Sequence, residues 1–175
     1  NKDVRDFGSG NAGATNTFRV LGKNAGIPVL IIDVIKGWIC AYALARYLHP
    51  SFLSNPAVNT QIAFGLSAIL GHIYPVFAQF KGGKGVATTL GVVIAIDPIS
   101  AFSCLGVFVV VLIISRTVSI ASMVAAVSFP IFVLFVYNTQ YQSLMIFSII
   151  MSALIIVTHT KNIKRLIRGE EPKTF

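Results

Sequence analysis

Long runs of apolar residues, broken by short polar segments, set the pattern of this chain. Six apolar segments are found, at 27–48, 57–78, 85–96, 98–114, 118–136 and 143–158. A helix needs about 20 residues to cross the hydrocarbon core of a bilayer, and the first, second and fifth segments reach that length. The pattern predicts an all-α fold: a polytopic integral membrane helical bundle with about six transmembrane helices in a single domain, residues 1–175.

The third apolar segment, at 85–96, is short. Asp97 and Pro98 separate it from the fourth, because proline removes a backbone donor and disfavours helical geometry in the residue before it. We therefore expect a short or partly re-entrant helix here. The sequence leaves open whether this helix crosses the bilayer.

Composition supports a membrane protein over a soluble one. Hydrophobic residues make up 55% of the 175 residues and charged residues only 11%, whereas soluble domains carry about 25% charged residues. The formal net charge is +8. This charge suits anionic substrates or lipids, but membrane topology alone explains much of it.

The basic residues fall on one side of the predicted bundle. Apart from Lys36 and Arg46, which lie in the first apolar segment, every Lys and Arg lies before the first segment, after the sixth, or in alternate connections. The remaining connections, at 49–56, 97 and 137–142, contain neither residue type. The positive-inside rule assigns the basic side to the cytoplasm.

The first polar segment, residues 8–19, combines glycines, hydroxyls and amides with Arg19. Such a run cannot form an apolar core, but its backbone N–H groups and the guanidinium can surround an anion, phosphate above all. It has no GxGxxG pattern and no preceding strand, so a dinucleotide site is not indicated. A merely flexible loop is the alternative.

The second polar segment, residues 71–89, places Lys81 and Lys84 around two glycines, with Gly85 after them. Glycines let a phosphate approach the backbone, and the following helix N-terminus adds partial positive charge. Gly85 follows Lys84 where a Walker A loop requires Ser or Thr, so nucleotide hydrolysis is not indicated. A short basic turn that only orients two helices is the alternative.

The third polar segment, residues 159–166, follows the last apolar segment. In a helix, His159 and Asn162 lie one turn apart near the membrane surface. A basic amphipathic tail resting on anionic lipid is the alternative. Inside the apolar segments, Asp33 and Lys36 have the spacing of a helical ion pair, and His72 is interpreted first as a hydrogen-bonded packing residue.

Five motifs together resemble the bacterial acyl-phosphate:glycerol-3-phosphate acyltransferases, the PlsY family. They are GSGNAGATNTFR at 8–19, IDVIKG at 32–37, GHIYPVFAQFKGGKGVAT at 71–88, VSIAS at 118–122 and HTKNIKRL at 159–166. The last motif departs from the family pattern, since Thr158 stands where a basic residue is usual and Lys161 where an acidic one is. The family has a further transmembrane helix before the first motif, so the resemblance implies seven helices at full length and an N-terminus truncated or incompletely observed here.

The resemblance implies transfer of a fatty acyl group from acyl phosphate to the sn-1 hydroxyl of glycerol 3-phosphate. The products are lysophosphatidic acid and phosphate, in the first acylation step of phospholipid biosynthesis. The implied location is the bacterial cytoplasmic (inner) membrane, with the active site on the cytoplasmic side. The implied partners are glycerol 3-phosphate, acyl phosphate and membrane lipid, without nucleic acid; the oligomeric state stays open. The residues present require no metal and no cofactor.

The resemblance also assigns roles. Catalytic roles fall on Ser9, Arg19, Lys84, His159 and Asn162. Substrate-binding roles fall on Gly8, Gly10, Asn11, Gly13, Thr15, Asn16, His72, Lys81, Gly82, Gly83, Gly85 and Ser122. The expected chemistry is direct attack of the hydroxyl on the acyl phosphate, with an acyl-enzyme on Ser9 as the alternative.

A different class of function is a small membrane transporter for phosphorylated solutes. Its support is the pair Asp33 and Lys36 within a transmembrane segment, together with basic residues at one mouth. The outer connections are short and nearly uncharged, which leaves no matching polar site on the far side and disfavours transport.

Overall fold

The computed structural model describes residues 3–48 and 55–174, and every regular element in these ranges is helical. The all-α prediction is therefore confirmed for the described part of the chain. The chain forms two compact units, one ending at Ile96 and the other beginning at Asp97. Lys2, His49 and most of the predicted outer connection 49–56 lie outside the described residues.

The N-terminal unit contains four helices and two single 3-10 turns. The helices are α1 (Ala14–Leu21), α2 (Lys23–Leu48), α3 (Asn55–Ile73) and α4 (Val86–Ile96), and the 3-10 turns are Val4–Asp6 and Val76–Ala78. One π-helical turn, Cys40–Leu44, interrupts α2. Gly22, with a φ of 81°, ends α1 and starts α2 in a conformation that glycine adopts at little cost.

Glycines bring the backbones of α2 and α4 into close contact. A Cβ on Gly91 would collide with the carbonyl of Val34, and a Cβ on Gly37 would collide with the carbonyl of Thr88. Small residues at such crossings are the usual means of helix association in membranes, because lipid supplies no hydrophobic driving force between helices. Gly26 plays the same part between α1 and α2, where it lies under the ring of Phe18.

The C-terminal unit contains α5 (Pro98–Ser115), α6 (Val118–Val136), α7 (Gln142–Thr158) and α8 (Thr160–Ile167). The side chain of Asp97 caps α5 by accepting the N–H of Ser100 at 3.2 Å and its hydroxyl at 2.5 Å. Pro130 lies two residues before a π-helical turn, Phe132–Val136. Because proline cannot donate to the preceding turn, the hydrogen-bond ladder of α6 is interrupted near this point.

The helices match the predicted apolar segments closely. Among the described residues, four helical stretches are long and apolar enough to cross a membrane, namely Lys23–Leu48, Pro56–Ala78, Pro98–Ser115 and Val118–Val136. A fifth is reached if α7 and α8, which meet at a bend of 56°, form one span. Helix α4 has 11 residues, as the short third segment predicted. The figure of about six crossings stays a prediction.

Two details differ from the sequence prediction. Helix α2 begins at Lys23 rather than at 27, because the polar residues before Ile27 continue the helix toward Gly22. The first polar segment is not loop throughout, since its second half forms α1 from Ala14 onward.

Candidate functional site

The loop at the start of the first polar segment is shaped by Asn16. The Asn16 side-chain oxygen accepts the backbone N–H of Ser9 at 2.8 Å, and its amide donates to the carbonyls of Val4 at 2.7 Å and Phe7 at 3.1 Å. Asn16 is 1% exposed. The buried amide of Asn16 therefore fixes the backbone of the loop that contains Ser9.

Positive φ angles explain two of the glycines in this loop. Gly8 and Gly10 have φ of 62° and 70°, a region that other residues enter at a cost of roughly 1–2 kcal/mol. A Cβ on Gly8 would also collide with the side-chain oxygen of Asn16. The loop thus has little room for a side chain at Gly8. Thr15 is half-buried in α1, and Arg19 is exposed on it.

The glycine turn, residues 81–85, folds back on the end of α3. Gly82 N–H donates to the carbonyl of Ile73 at 3.2 Å, and Gly83 N–H donates to the carbonyl of His72 at 3.1 Å. These two hydrogen bonds hold the turn in place. The turn also carries the Lys81 and Lys84 side chains, and α4 begins directly after it. Gly85 has a φ of 83° immediately before α4.

The first polar segment and the glycine turn lie against each other. Asn11 donates its side-chain amide to the carbonyl of Gly82 at 3.4 Å. A Cβ on Gly13 would lie 3.8 Å from the Cα of Gly83. The structure thus brings together two predicted phosphate-binding stretches that are about 70 residues apart in sequence.

Arg5 adds a third link to this junction. One Arg5 guanidinium nitrogen donates to the carbonyl of Ala78 at 3.1 Å, while the rest of the group pairs with Asp3 at 2.6 Å. This pairing lowers the pKa of Asp3 to about 2, chiefly through the hydrogen bonds from Arg5, and raises the pKa of Arg5. Arg5 was not singled out from the sequence, because an arginine near a chain start is indistinguishable from a topology signal.

A charged cluster lies beneath the glycine turn. Lys36 Nζ is 2.5 Å from Asp33 Oδ1 and 2.6 Å from His72 Nδ1, and His72 Nδ1 is 3.2 Å from the same Asp33 oxygen. The predicted Asp33–Lys36 pair is therefore present, and His72 joins it. A Cβ on Gly83 would collide with Nε2 of His72, so the far edge of the ring lies against the turn.

The C-terminal unit contains its own polar cluster where α7 meets α8. His159 is 2% exposed at this bend, with Nδ1 2.7 Å from the carbonyl of Ile155. Asn162, 4% exposed, donates to Glu171 Oε1 at 2.6 Å, and Ser119 donates to the same oxygen at 2.8 Å. Both His159 and Asn162 are buried rather than lying on an open membrane-facing surface. Ser122 is buried one helical turn beyond Ser119.

Glu171 and Ser119 are the residues of this cluster to which the sequence analysis assigned no role. Glu171 follows the last helix in a charged tail, where a carboxylate has no periodic pattern to mark it. In the structure, Glu171 is the shared acceptor for side chains from two different helices. Among the described residues, no group of three or more His, Cys, Asp or Glu could hold a metal ion.

Comparison with known proteins identifies the family. A family model described as glycerol-3-phosphate acyltransferase matches residues 1–169. The chain is similar to the glycerol-3-phosphate acyltransferase of Chlorobium phaeobacteroides (strain BS1), at 41% identity over 97% of this chain and 83% of the relative. It is also similar to the same-named protein of Staphylococcus aureus (strain Newman), at 44% identity over 98% and 84%.

Two crystal structures agree with this assignment, and both are of PlsY, an integral membrane glycerol 3-phosphate acyltransferase. Its glycerol 3-phosphate form matches with a TM-score of 0.86 and 42% identity over 98% of this chain and 82% of that chain. Its lysophosphatidic acid form matches with a TM-score of 0.81, also at 42% identity, over 94% and 80%. The resemblance drawn from the motifs is confirmed: this chain belongs to the glycerol-3-phosphate acyltransferase family.

Proposed function

We propose that this protein transfers a fatty acyl group from acyl phosphate to the sn-1 hydroxyl of glycerol 3-phosphate, giving lysophosphatidic acid and phosphate. We place it in the bacterial cytoplasmic membrane with its active site at the cytoplasmic side, where it performs the first acylation of phospholipid synthesis. The whole chain acts as one membrane-embedded acyltransferase domain. The positive-inside distribution of Lys and Arg supports this orientation.

The observation that carries the proposal is the junction between the first polar segment and the glycine turn. The Asn11–Gly82 hydrogen bond and the Gly13–Gly83 contact put the first polar segment, whose helical half carries Arg19, beside the glycine turn, which carries Lys81 and Lys84. Both segments adjoin membrane-length helices. That combination suits a phosphate group attached to a lipid chain, because the head needs cations and donors while the tail needs apolar surroundings.

The chemistry needs positioning and charge more than a strong base. The sn-1 oxygen attacks the acyl carbon, the bond from that carbon to the phosphate oxygen breaks, and the hydroxyl proton passes to the departing phosphate. Arg19 suits a bidentate phosphate contact, and Lys84 with Lys81 supplies point charge. Ser9 is proposed to contact the phosphate or the reacting carbonyl. Catalysis of this kind draws on orientation and on stabilisation of developing negative charge.

The remaining proposed substrate contacts lie in two groups. His159 and Asn162, with Ser122 as a weaker candidate, are proposed to orient glycerol 3-phosphate. Gly8, Gly10, Thr15 and Gly85 are proposed to contribute to phosphate binding, and the positive φ angles of Gly8, Gly10 and Gly85 shape the backbone of the two segments that carry them. Asn16 and His72 are proposed to act through the loops that they hold, in line with their hydrogen bonds.

The test is a reconstituted reaction with purified protein, acyl phosphate and glycerol 3-phosphate, in which lysophosphatidate and released phosphate are both measured. Equal amounts of the two products, with the acyl group on the sn-1 oxygen by NMR, support the proposal. Product from acyl-CoA or acyl carrier protein but not from acyl phosphate would overturn the choice of donor. His159→Ala should remove activity, while Thr160→Ala, at the exposed neighbouring position, is the matched control.

Transport of phosphorylated solutes would instead show as uptake into vesicles without acylated product. Its support from the sequence was the pair Asp33 and Lys36, and these residues contact each other and His72. Because the three side chains pair with one another, they give the transport hypothesis no further support.

A further inference from the structure

Placing the Asp33, Lys36 and His72 cluster among membrane helices costs free energy. The side chains of Asp33 and His72 are each 9% exposed, and ionisable groups in such positions are costly unless they are paired. The pairing here is close, since Lys36 Nζ contacts both Asp33 Oδ1 and His72 Nδ1. A simple pair would need only Asp33 and Lys36, so the recruitment of His72 needs its own explanation.

The contacts of His72 Nδ1 favour one tautomer of the ring. An ammonium group has three donors and no acceptor. His72 Nδ1 lies 2.6 Å from Lys36 Nζ and 3.2 Å from Asp33 Oδ1, so the shorter contact favours Nδ1 as the acceptor and the ring proton on Nε2. A hydrogen-bond partner on one nitrogen of a histidine ring sets both the tautomer and the orientation of the ring, as is known for metal-binding and catalytic histidines.

The opposite edge of the same ring supports the glycine turn. Nε2 occupies the place that a Cβ on Gly83 would take, and the carbonyl of His72 accepts the N–H of Gly83 at 3.1 Å. A Cβ on Gly82 would collide with that same carbonyl. The turn is thus built directly on His72, by its backbone and by its ring.

From the turn, the contact continues to the first polar segment through Asn11 and Gly13. We propose that Asp33, Lys36 and His72 are positioning residues: the ion pair fixes the His72 ring, and the ring sets the place of the 81–85 turn against residues 8–19. This inference rests on the proposed function, because it assigns the spacing of the two phosphate-binding loops to a charge cluster inside the helices.

The test is a double-mutant cycle on the full-length protein in detergent or vesicles. Gly83→Ala alone forces the new methyl into the ring and should lower kcat/KM for glycerol 3-phosphate by about tenfold or more, mainly through KM. His72→Asn keeps an acceptor for Lys36 but withdraws from Gly83. In the His72→Asn background, Gly83→Ala should lower kcat/KM for glycerol 3-phosphate by about twofold or less. Gly71→Ala, beside His72 but with open space around its Cβ, should leave the activity unchanged.

A second measurement does not depend on activity. Imidazole ¹⁵N shifts should show His72 as the Nε2–H tautomer, assigned by loss of its signal in His72→Asn, and Lys36→Met should change that tautomer. Equal losses from Gly83→Ala in both backgrounds, or a proton on Nδ1 in the wild type, would overturn the inference. If the wild type forms no lysophosphatidate, the proposed function fails, while the tautomer and the coupling of the two substitutions in thermal unfolding still test the cluster.

Discussion

The side-chain oxygen of Asn16 accepts the backbone N–H of Ser9 at 2.8 Å, and the two residues are seven positions apart in the sequence. The same side chain donates to two carbonyls at the start of the chain. One buried amide therefore fixes the position of the residue proposed to contact the reacting group. This makes Asn16 the residue through which the loop geometry is best tested.

Replacing Asn16 by Ala should lower both stability and activity. The change leaves the Ser9 N–H and the carbonyls of Val4 and Phe7 without their partner, at a cost of about 1–3 kcal/mol in unfolding free energy. We expect kcat/KM to fall by about tenfold or more, because orientation at the reacting centre is lost. Steady-state kinetics and thermal unfolding in detergent measure the two effects. Asn24→Ala, at an exposed position on α2, is the control, and an equal loss there would contradict the assignment.

Arg19→Lys tests whether the cation acts as a bidentate clamp. Lysine keeps the charge but loses the planar fork that matches a phosphate. KM for one phosphate-bearing substrate should rise by about tenfold, roughly the value of one charge-assisted hydrogen bond. Arg168→Lys, exposed beyond α8, should leave KM unchanged. An unaltered KM for both substrates in Arg19→Lys would exclude the clamp.

The Arg5 tether should not depend on pH in the physiological range. Arg5 lowers the pKa of Asp3 from 3.8 to about 2, so the pairing is fully present above the ordinary pKa and weakens as pH falls through the lowered value. Activity relative to Asp3→Asn should therefore be constant from pH 5 to 8. Arg5→Met, which also loses the bond to Ala78, should lower activity more than Asp3→Asn does. A ratio that varies between pH 5 and 8 would show that another group controls the tether.

The apolar helices could be predicted from the sequence because long runs of Val, Ile, Leu and Phe have few other solutions in a membrane. The break between α4 and α5 at Pro98 and the ion pair of Asp33 with Lys36 could be predicted as well, because each depends only on residues close together in the sequence. The start of α1 could not, since Ala14, Thr15 and Asn16 read equally well as loop. The hydrogen bonds from the Gly82 and Gly83 N–H groups to the end of α3 could not be predicted either, because they depend on where α3 ends in space. Contacts between residues far apart in the sequence, such as Arg5 with Ala78, produce no periodic pattern in the sequence.

Gly85→Ala tests backbone strain at the entrance to α4. Its φ of 83° is unfavourable for alanine by roughly 1–2 kcal/mol, and a new Cβ would lie 3.2 Å from a methyl of Ile73. We expect a lower thermal stability and a loss of turnover. Gly106→Ala on α5, where a Cβ meets open space, should be neutral or stabilising because alanine favours helix. If both variants unfold like the wild type, the turn is less constrained than its contacts indicate.

Glu171 and its neighbour Glu170 provide a matched pair for the C-terminal unit. Glu171 Oε1 accepts from both Ser119 and Asn162, so it joins α6, α8 and the tail, whereas the side chain of Glu170 is exposed. Glu171→Ala leaves a buried amide and a buried hydroxyl without this acceptor, and unfolding should become easier by about 1–3 kcal/mol. Glu171→Gln keeps an acceptor oxygen and should retain much of that stability. Glu170→Ala should behave as the wild type in thermal unfolding, and a loss equal to that of Glu171→Ala would mean that tail charge matters rather than these bonds.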